Sequence, residues 1–470
     1  MNTSRRISDI PGGRIHMIGI GGSSMSGLAE MLMDKGYAVS GSDRDEGYLI
    51  HHVREKGCHV EIGHRAENVH GADLVVYSAA IAADNPERAE ADRLGIPSIE
   101  RAVLLGQLME GFDKAVGICG AHGKTTVTSM ISQILLESGK DPSIHIGGRL
   151  DAIGGSVRVG RSGIFVAEAC EFNRSFLQLR PTVAVVLNID ADHLDCYKDI
   201  EEIEETFGQY LRLLPENGVA IGNGDDVRVR RQIEKLQCRK VFFGIGPENS
   251  WTPEDIKEDD LGRISFTVRQ TGKEPVHVKM GVPGKFNLMN GLAALATADE
   301  LGVPVSEAAD VLARFAGAHR RFEKTDEIDG VEIFHDYGHN PTEMRNVISI
   351  ARKRCSGRLW AVMQPHTFSR VRTLFDQYLT CTEEADYTLV TDICAAREAD
   401  PGDLNSGMLV DGMTRNGIDA KWTPTFDDTE QWLRTHWAPG DLVLTMGCGD
   451  INLLNDQIHR HELEKRAEGK

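Results

Sequence analysis

The chain has 470 residues, 41% of them hydrophobic and 26% charged, which is long enough for two to four domains of ordinary size. Lysine and arginine number 52 against 71 acids, a net charge of −19 that disfavours nucleic-acid binding but leaves small anions open to local amides and a few cations. No apolar run approaches the roughly 18–20 residues of a membrane helix, so no membrane insertion is expected. The nine cysteines show no C-x-x-C spacing and read as reduced thiols of a cytoplasmic protein. Arg5-Arg6 is followed by no apolar export segment.

In chain order, residues 14–19 read as an apolar strand ending in glycine and residues 25–35 as a helix stopped by Gly36. A second strand at 38–40 runs into Gly41-Ser42-Asp43, and a third covers 73–78. This is the punctuation of a parallel sheet. Between the first strand and helix stands Gly19-Ile20-Gly21-Gly22-Ser23-Ser24, a dinucleotide-type turn with Ser24 at the third glycine position. Asp43 stands where a ribose-binding acid belongs. A nicotinamide cofactor of a dehydrogenase and another diphosphate-bearing nucleotide fit this turn equally.

A second start follows at 114–119, and the loop Gly120-Ala121-His122-Gly123-Lys124-Thr125-Thr126 leads into a helix over 127–137. Glycines there let amides approach phosphate oxygens, Lys124 neutralises phosphate charge, and the Thr125 hydroxyl ligates Mg²⁺. A full G-x-x-x-x-G-K-[ST] pattern would need glycine at Ile118, so this is a short variant. Glu168 and Glu171 close a strand at 163–169, and Asp190, Asp192, His193 and Asp195 follow one at 182–188. Such an oxygen-rich set beside a phosphate loop suits magnesium. Further strands are expected at 219–222, 241–245, 264–268 and 276–280, the last two as an antiparallel addition. The acidic stretch 248–262 reads as an exposed loop, and 290–301 as a helix.

A third start follows His319-Arg320-Arg321-Phe322, with strands at 331–335, 359–363, 387–391 and 442–445 and a terminal helix over 450–467. Arg320-Arg321, and Arg370 and Arg372 after Gln364-Pro365-His366, fit phosphoryl stabilisation and surface pairing equally.

The order of these motifs resembles the Mur ligase family over essentially the whole chain. The resemblance rests on His16-Met17-Ile18-Gly19-Ile20-Gly21-Gly22, Ser40-Gly41-Ser42-Asp43, Ser78-Ala79-Ala80-Ile81 and Asp84-Asn85-Pro86-Glu87. Ile96-Pro97 leading to Arg101-Ala102 belongs to it too, as do the phosphate loop, Ala167-Glu168-Ala169 and Asn188-Ile189-Asp190-Ala191-Asp192-His193. Asn287-Leu288-Met289-Asn290, Arg320-Arg321-Phe322, Asp336-Tyr337-Gly338-His339-Asn340-Pro341 and Gln364-Pro365-His366 complete it.

The resemblance implies an α/β protein of three domains: an N-terminal Rossmann-like domain (1–107) for a UDP-linked substrate, a central P-loop ATPase with a mostly parallel sheet (108–322), and a C-terminal Rossmann-like domain (323–470). It implies ATP-dependent amide formation through an acyl phosphate in peptidoglycan precursor synthesis, by a monomer or homodimer. Its alanine-adding branch takes UDP-N-acetylmuramate, L-alanine and ATP with Mg²⁺. A peptide-recycling branch, which joins a preformed peptide to the same sugar nucleotide, is the alternative. By position, Lys124, Glu168, His193 and Arg321 are the implied catalytic groups, with Thr125, Glu168 and His193 on metal. Gly120, Ala121, His122, Gly123, Lys124, Thr125, Thr126, Asn287, Asn290, Arg321 and Asp336 would hold ATP. Gly21, Gly22, Ser23, Asp43 and Ser78 would hold the UDP group, and His339 and Arg370 the amino acid. Ala121, Cys170, Phe172-Asn173 and Thr367 depart from the common pattern. Phe207-Gly208-Gln209 lacks the lysine that several sister ligases carbamylate, which agrees with the alanine-adding branch.

Overall fold

The computed structural model describes residues 5–191, 196–396 and 398–468. His193, Asp192 and Asp195 therefore lie outside the described residues. The chain forms two compact units, one of Met1–Asp255, Phe266–Val278 and Met289–Phe315, the other of Ile256–Ser265, Lys279–Leu288 and Ala316–Lys470.

Three sheets carry the α/β architecture. The first has five strands in the order His59–Ile62, Ala38–Asp43, Arg14–Ile18, Leu74–Tyr77, Ser98–Glu100, all paired in parallel. The second has ten strands, with Lys114–Cys119 between Val183–Val186 and Ile164–Glu168 in parallel pairing. The third orders Glu323–Ile328, Val331–Asp336, Leu442–Met446, Leu359–Met363, Tyr387–Val390 and Ala420–Trp422. Its first pair is antiparallel and the rest parallel.

Parallel strands need crossovers that cover both faces, so their side chains are apolar in both directions. In Leu359–Met363, residues Leu359, Ala361 and Met363 enter one core while Trp360 and Val362 enter another on the opposite face. In the first unit a single core runs from Ile15, Met17 and Leu28 to Phe165, Phe207 and Tyr210, so the first and second sheets share it. Each such side chain contributes about 1.5–3 kcal/mol by leaving water.

Three expectations need correction. The acidic stretch is not a loop throughout, because Trp251–Glu258 is a strand beside Arg239–Phe243. Only its first residues are buried and the rest are solvated, so its composition hides a backbone ladder. The second strand, Ala38–Asp43, extends through Gly41 to Asp43. A Cβ at Gly41 would lie 2.6 Å from Ile20, so glycine there serves close packing rather than a turn. Both nucleotide-type helices begin earlier than periodicity indicates, at Ser23 and at Lys124, because glycine is the N-cap of each. The antiparallel pair Ser143–Leu150 and Gly155–Arg158 was not anticipated from the sequence.

Candidate active site

The strand Lys114–Cys119 ends at Gly120, and the helix Lys124–Glu137 starts four residues later. Gly123 caps that helix at φ +86°, a left-handed conformation that costs glycine little. A side chain there would also strike Asn290, since a Cβ would lie 2.7 Å from its Oδ1. Asn290 thus lies against the phosphate loop.

Lys124 folds back over the loop. Its Nζ donates to the carbonyls of Gly120 and Ala121 and to Glu171 Oε1, the last at 2.8 Å. Burial alone would lower its pKa, but the charge of Glu171, with Cys170, the hydrogen bond to Glu171 and the charge of Glu168, together raise it, so the ammonium is kept. The Thr125 hydroxyl donates to Glu168 Oε2 at 3.0 Å, and the same oxygen accepts the Gly147 amide at 2.9 Å. Asn188 clamps the loop through both sides of its amide, accepting from His122 N at 2.9 Å and donating to His122 O at 3.0 Å. His122 Nε2 lies 3.5 Å from Asp190 Oδ2, and this contact leads the lowering of the Asp190 pKa. Thr126 follows in the first helical turn, half-buried.

The convergence of Thr125 and Glu168 offers two hard oxygen donors beside a helix N-terminus, a set that fits Mg²⁺ completed by phosphate oxygens and water. Among the described residues no group of three or more His, Cys, Asp or Glu forms a metal cage. Glu171, which the sequence grouped with Glu168 as a candidate magnesium acid, instead pairs with Lys124. It is 2% exposed, and its spacing three residues after Glu168 was the available signal.

The other glycine-rich turn gathers Gly21, Gly22, Ser23, Asp43 and Ser78 at the carboxyl ends of the first sheet. Asp43 closes its strand, and its Oδ2 accepts the Gly21 amide at 2.8 Å. Ser78 follows the strand Leu74–Tyr77, with its Oγ 3.6 Å from where a Gly19 Cβ would stand. Gly22 caps the helix Ser23–Asp34 without a side-chain hydrogen bond. Behind this turn, fully buried Glu87 accepts from Ser42 Oγ and Asn68 Nδ2, both at 2.6 Å, beside His16 Nε2 at 3.3 Å. Burial pushes the Glu87 pKa up, but these bonds prevail and leave it below the ordinary value. The Asn85-Pro86 helix start placed Glu87 without revealing this network.

In the second unit, Arg320 and Phe322 have φ of +60° and +47°, so the junction around Arg321 is backbone-strained. Asp336 holds it by accepting Phe322 N at 2.8 Å and Gly338 N at 2.6 Å. Burial raises the Asp336 pKa, and Arg321 opposes the rise. The two arginines of the pair separate in role. Both guanidinium groups lie over the Tyr337 ring, at 4.9 Å and 5.1 Å, but Arg320 also donates to His335 Nε2 at 2.9 Å and to the carbonyls of Gly447 and Gly449. Asn287 is buried, with its Nδ2 donating to Pro283 O at 2.6 Å.

His339 and Arg370 meet around His366, which sequence reasoning noted only as part of a motif. The two imidazole centroids are 6.4 Å apart, and Arg370 Nη1 is 3.1 Å from His366 Nδ1. Burial, then Arg370 and His339, push the His366 pKa down to about 4. Thr367, where arginine is common, stands at φ +60° with its amide bonded to Cys394 O at 2.9 Å.

Comparison with known proteins agrees with this geometry. Models of the Mur ligase family match in three consecutive parts: the catalytic domain over residues 14–113, the middle domain over 118–298 and the glutamate ligase domain over 320–449. The UDP-N-acetylmuramate–L-alanine ligase of Acetivibrio thermocellus is 44% identical over 438 residues, covering 93% of each chain. That of Caldanaerobacter subterraneus subsp. tengcongensis is 44% identical, covering 93% of this chain and 95% of its own. The crystal structure of UDP-N-acetylmuramate-alanine ligase from Thermotoga maritima shares the three-domain fold, with a TM-score of 0.81 at 24% identity, covering 97% of this chain and all 100% of that one. A murein peptide ligase from Psychrobacter arcticus superposes with a TM-score of 0.72 at 24% identity, covering 96% of this chain and 98% of that one. Sequence, sheet order and site geometry converge, and the chain belongs to the Mur ligase family.

Proposed function

We propose that the chain joins L-alanine to UDP-N-acetylmuramate with cleavage of ATP, in peptidoglycan precursor synthesis. The carrying observation is the Lys124, Thr125 and Glu168 constellation, set in a chain 44% identical over 93% of its length to a ligase named for that reaction. A lactyl carboxylate oxygen attacks the γ-phosphorus, the bond to the β–γ bridging oxygen breaks, and ADP leaves. The alanine amine then attacks the acyl carbon, the bond to phosphate oxygen breaks, and a proton and phosphate are released. A carboxylate is a poor electrophile, so the enzyme's task is to bring two anions together and to screen their repulsion.

Lys124 supplies fixed positive charge at the β/γ-phosphates. Thr125 and Glu168 would hold Mg²⁺, which supplies charge neutralisation to the phosphoryl group. His193 is assigned beside them by resemblance. Asn287 and Asn290 are assigned to adenine, Asp336 to the ribose or amino-acid side, and Arg321 to phosphate. His339 and Arg370 take the amino acid, and the turn from Gly21 to Ser23, with Asp43 and Ser78, takes the UDP group. Domain limits of 1–107, 108–322 and 323–470, a monomer or homodimer, and a cytoplasmic location complete the reading. Membership of a ligase family removes the ground for a nicotinamide dehydrogenase, which rested on the first glycine turn alone.

The peptide-recycling alternative is favoured by the likeness to the Psychrobacter arcticus ligase, whose TM-score of 0.72 is below the 0.81 of the Thermotoga maritima ligase. ADP release with UDP-N-acetylmuramate is the test. Turnover with L-alanine but not with a preformed tripeptide is expected, and the reverse preference overturns the assignment.

A further inference from the structure

The first glycine turn carries no cation within residues 19–24, although the chain as a whole is negative by 19 charges. A diphosphate docked there needs a local counter-charge. One stands beside it. Arg101 opens the helix Arg101–Met109, and its Nη1 donates to Ser24 Oγ at 3.0 Å. Among the described residues it makes that one side-chain hydrogen bond and no ion pair. Burial holds its pKa below the ordinary arginine value, against the pull of Cys170 and Glu100. A guanidinium has five N–H donors, so most of its capacity is unmet by the protein. Such a cation recovers its desolvation cost when an anion arrives.

Its geometry is fixed from behind. Ser24 Oγ is 2.6 Å from His145 Nε2. His145 is 4% exposed, and burial, then the Arg101 charge, push its pKa down to about 3, so it is neutral. Ser24 Oγ thus accepts from Arg101 and shares a second hydrogen bond with His145, whose Nδ1 is buried without a partner. His145 lies in register with Ala167, next to Glu168, and two residues from Gly147, whose amide Glu168 accepts. On the helix Ser23–Asp34 itself, Gly27 allows the hairpin to approach so closely that a Cβ would lie 2.2 Å from Val157.

Resting on the sugar-nucleotide reading above, we propose that Arg101 is the cation that meets the diphosphate of the UDP substrate, held in place by Ser24 and, through it, by His145.

Titration calorimetry with UDP, UDP-N-acetylglucosamine and UDP-N-acetylmuramate, on wild type, Arg101→Gln and Arg101→Lys, tests this. Arg101→Gln is expected to weaken all three by at least about tenfold, as loss of a charge-assisted contact does. The KM for sugar nucleotide should rise similarly while the KM for ATP holds. Arg101→Lys keeps charge without the planar fork and should recover only part of the loss. Unchanged UDP affinity in Arg101→Gln overturns the proposal. So does a loss confined to UDP-N-acetylmuramate, which would assign Arg101 to the lactyl carboxylate. If Arg101→Gln fails to fold, Arg101→Lys decides alone: wild-type UDP affinity with an intact KM for ATP overturns the proposal. Wild type that binds UDP but does not turn over UDP-N-acetylmuramate refutes the assigned function and leaves this test standing.

Discussion

Two glycine-rich turns open two helices in the same compact unit, and they hold charge in opposite ways. At the first, a carboxylate, Asp43, accepts a loop amide and the turn itself carries no cation. At the second, Lys124 is built into the first helical position and is paired with buried Glu171. In the proposed function the acid meets neutral hydroxyls such as those of ribose, and the lysine held over backbone carbonyls meets a transferring phosphoryl group. On the proposed function, the same strand–glycine–helix frame would serve ground-state recognition in one place and transition-state charge in the other, and the side chains around it would decide which.

Variants at the two turns should separate along that line. Lys124→Ala should lower the turnover number by about two to three orders of magnitude, the usual cost of one transition-state charge partner. Single-turnover ADP formation measures it, and near-wild-type rates would remove Lys124 from the chemistry. Glu168→Gln should cost about a hundredfold and raise the Mg²⁺ concentration needed for half-maximal rate. An unaltered Mg²⁺ titration would show that Thr125 and Glu168 hold each other rather than a metal.

Asp43→Asn should instead raise the KM for sugar nucleotide about fivefold to twentyfold with kcat nearly kept, as loss of one charge-assisted contact in binding does. If the loss fell on kcat, the division between the two turns would collapse.

The smallest effect concerns stability in the second unit. Burial, then the Arg320 charge, push the His335 pKa down to about 3. Its neutral Nε2 accepts from Arg320. A lowered folded-state pKa contributes stability that is full above the unfolded value near 6.5 and is lost as pH falls toward 3. Across that window this one group adds a slope of up to about 1.4 kcal/mol per pH unit. His335→Gln should flatten the fall, and denaturant titrations at pH 4, 5 and 7 would detect an unchanged slope.

Much of this site was legible because phosphate chemistry constrains short contiguous runs. Residues 120–126 had to be a strand-to-helix loop with glycine, lysine and threonine in that order, and Gly123 at φ +86° shows why the glycine is needed. Glu171 was harder to place. Three residues after Glu168 it looks like a second metal acid, and only folding shows it spent on Lys124. The strand Trp251–Glu258 was hidden because exposed charged residues on a backbone ladder have the composition of a loop.

The sequence by itself determined the three nucleotide-type sheets, the phosphate loop and the family, since these rest on local periodicity and on spacing within a few residues. Tertiary structure alone decided what each charged group pairs with. Glu87 meets His16 across 71 positions, and Ser24 meets His145 across 121. Such distances along the chain leave no trace in local pattern, because hydrogen bonds and desolvation depend on proximity in space. As strings the two glycine turns differ by Lys124 in one and Ser24 in the other. Folding adds the partners: a buried acid, Glu171, to the Lys124 turn, and Arg101 and a neutral His145 to the Ser24 turn.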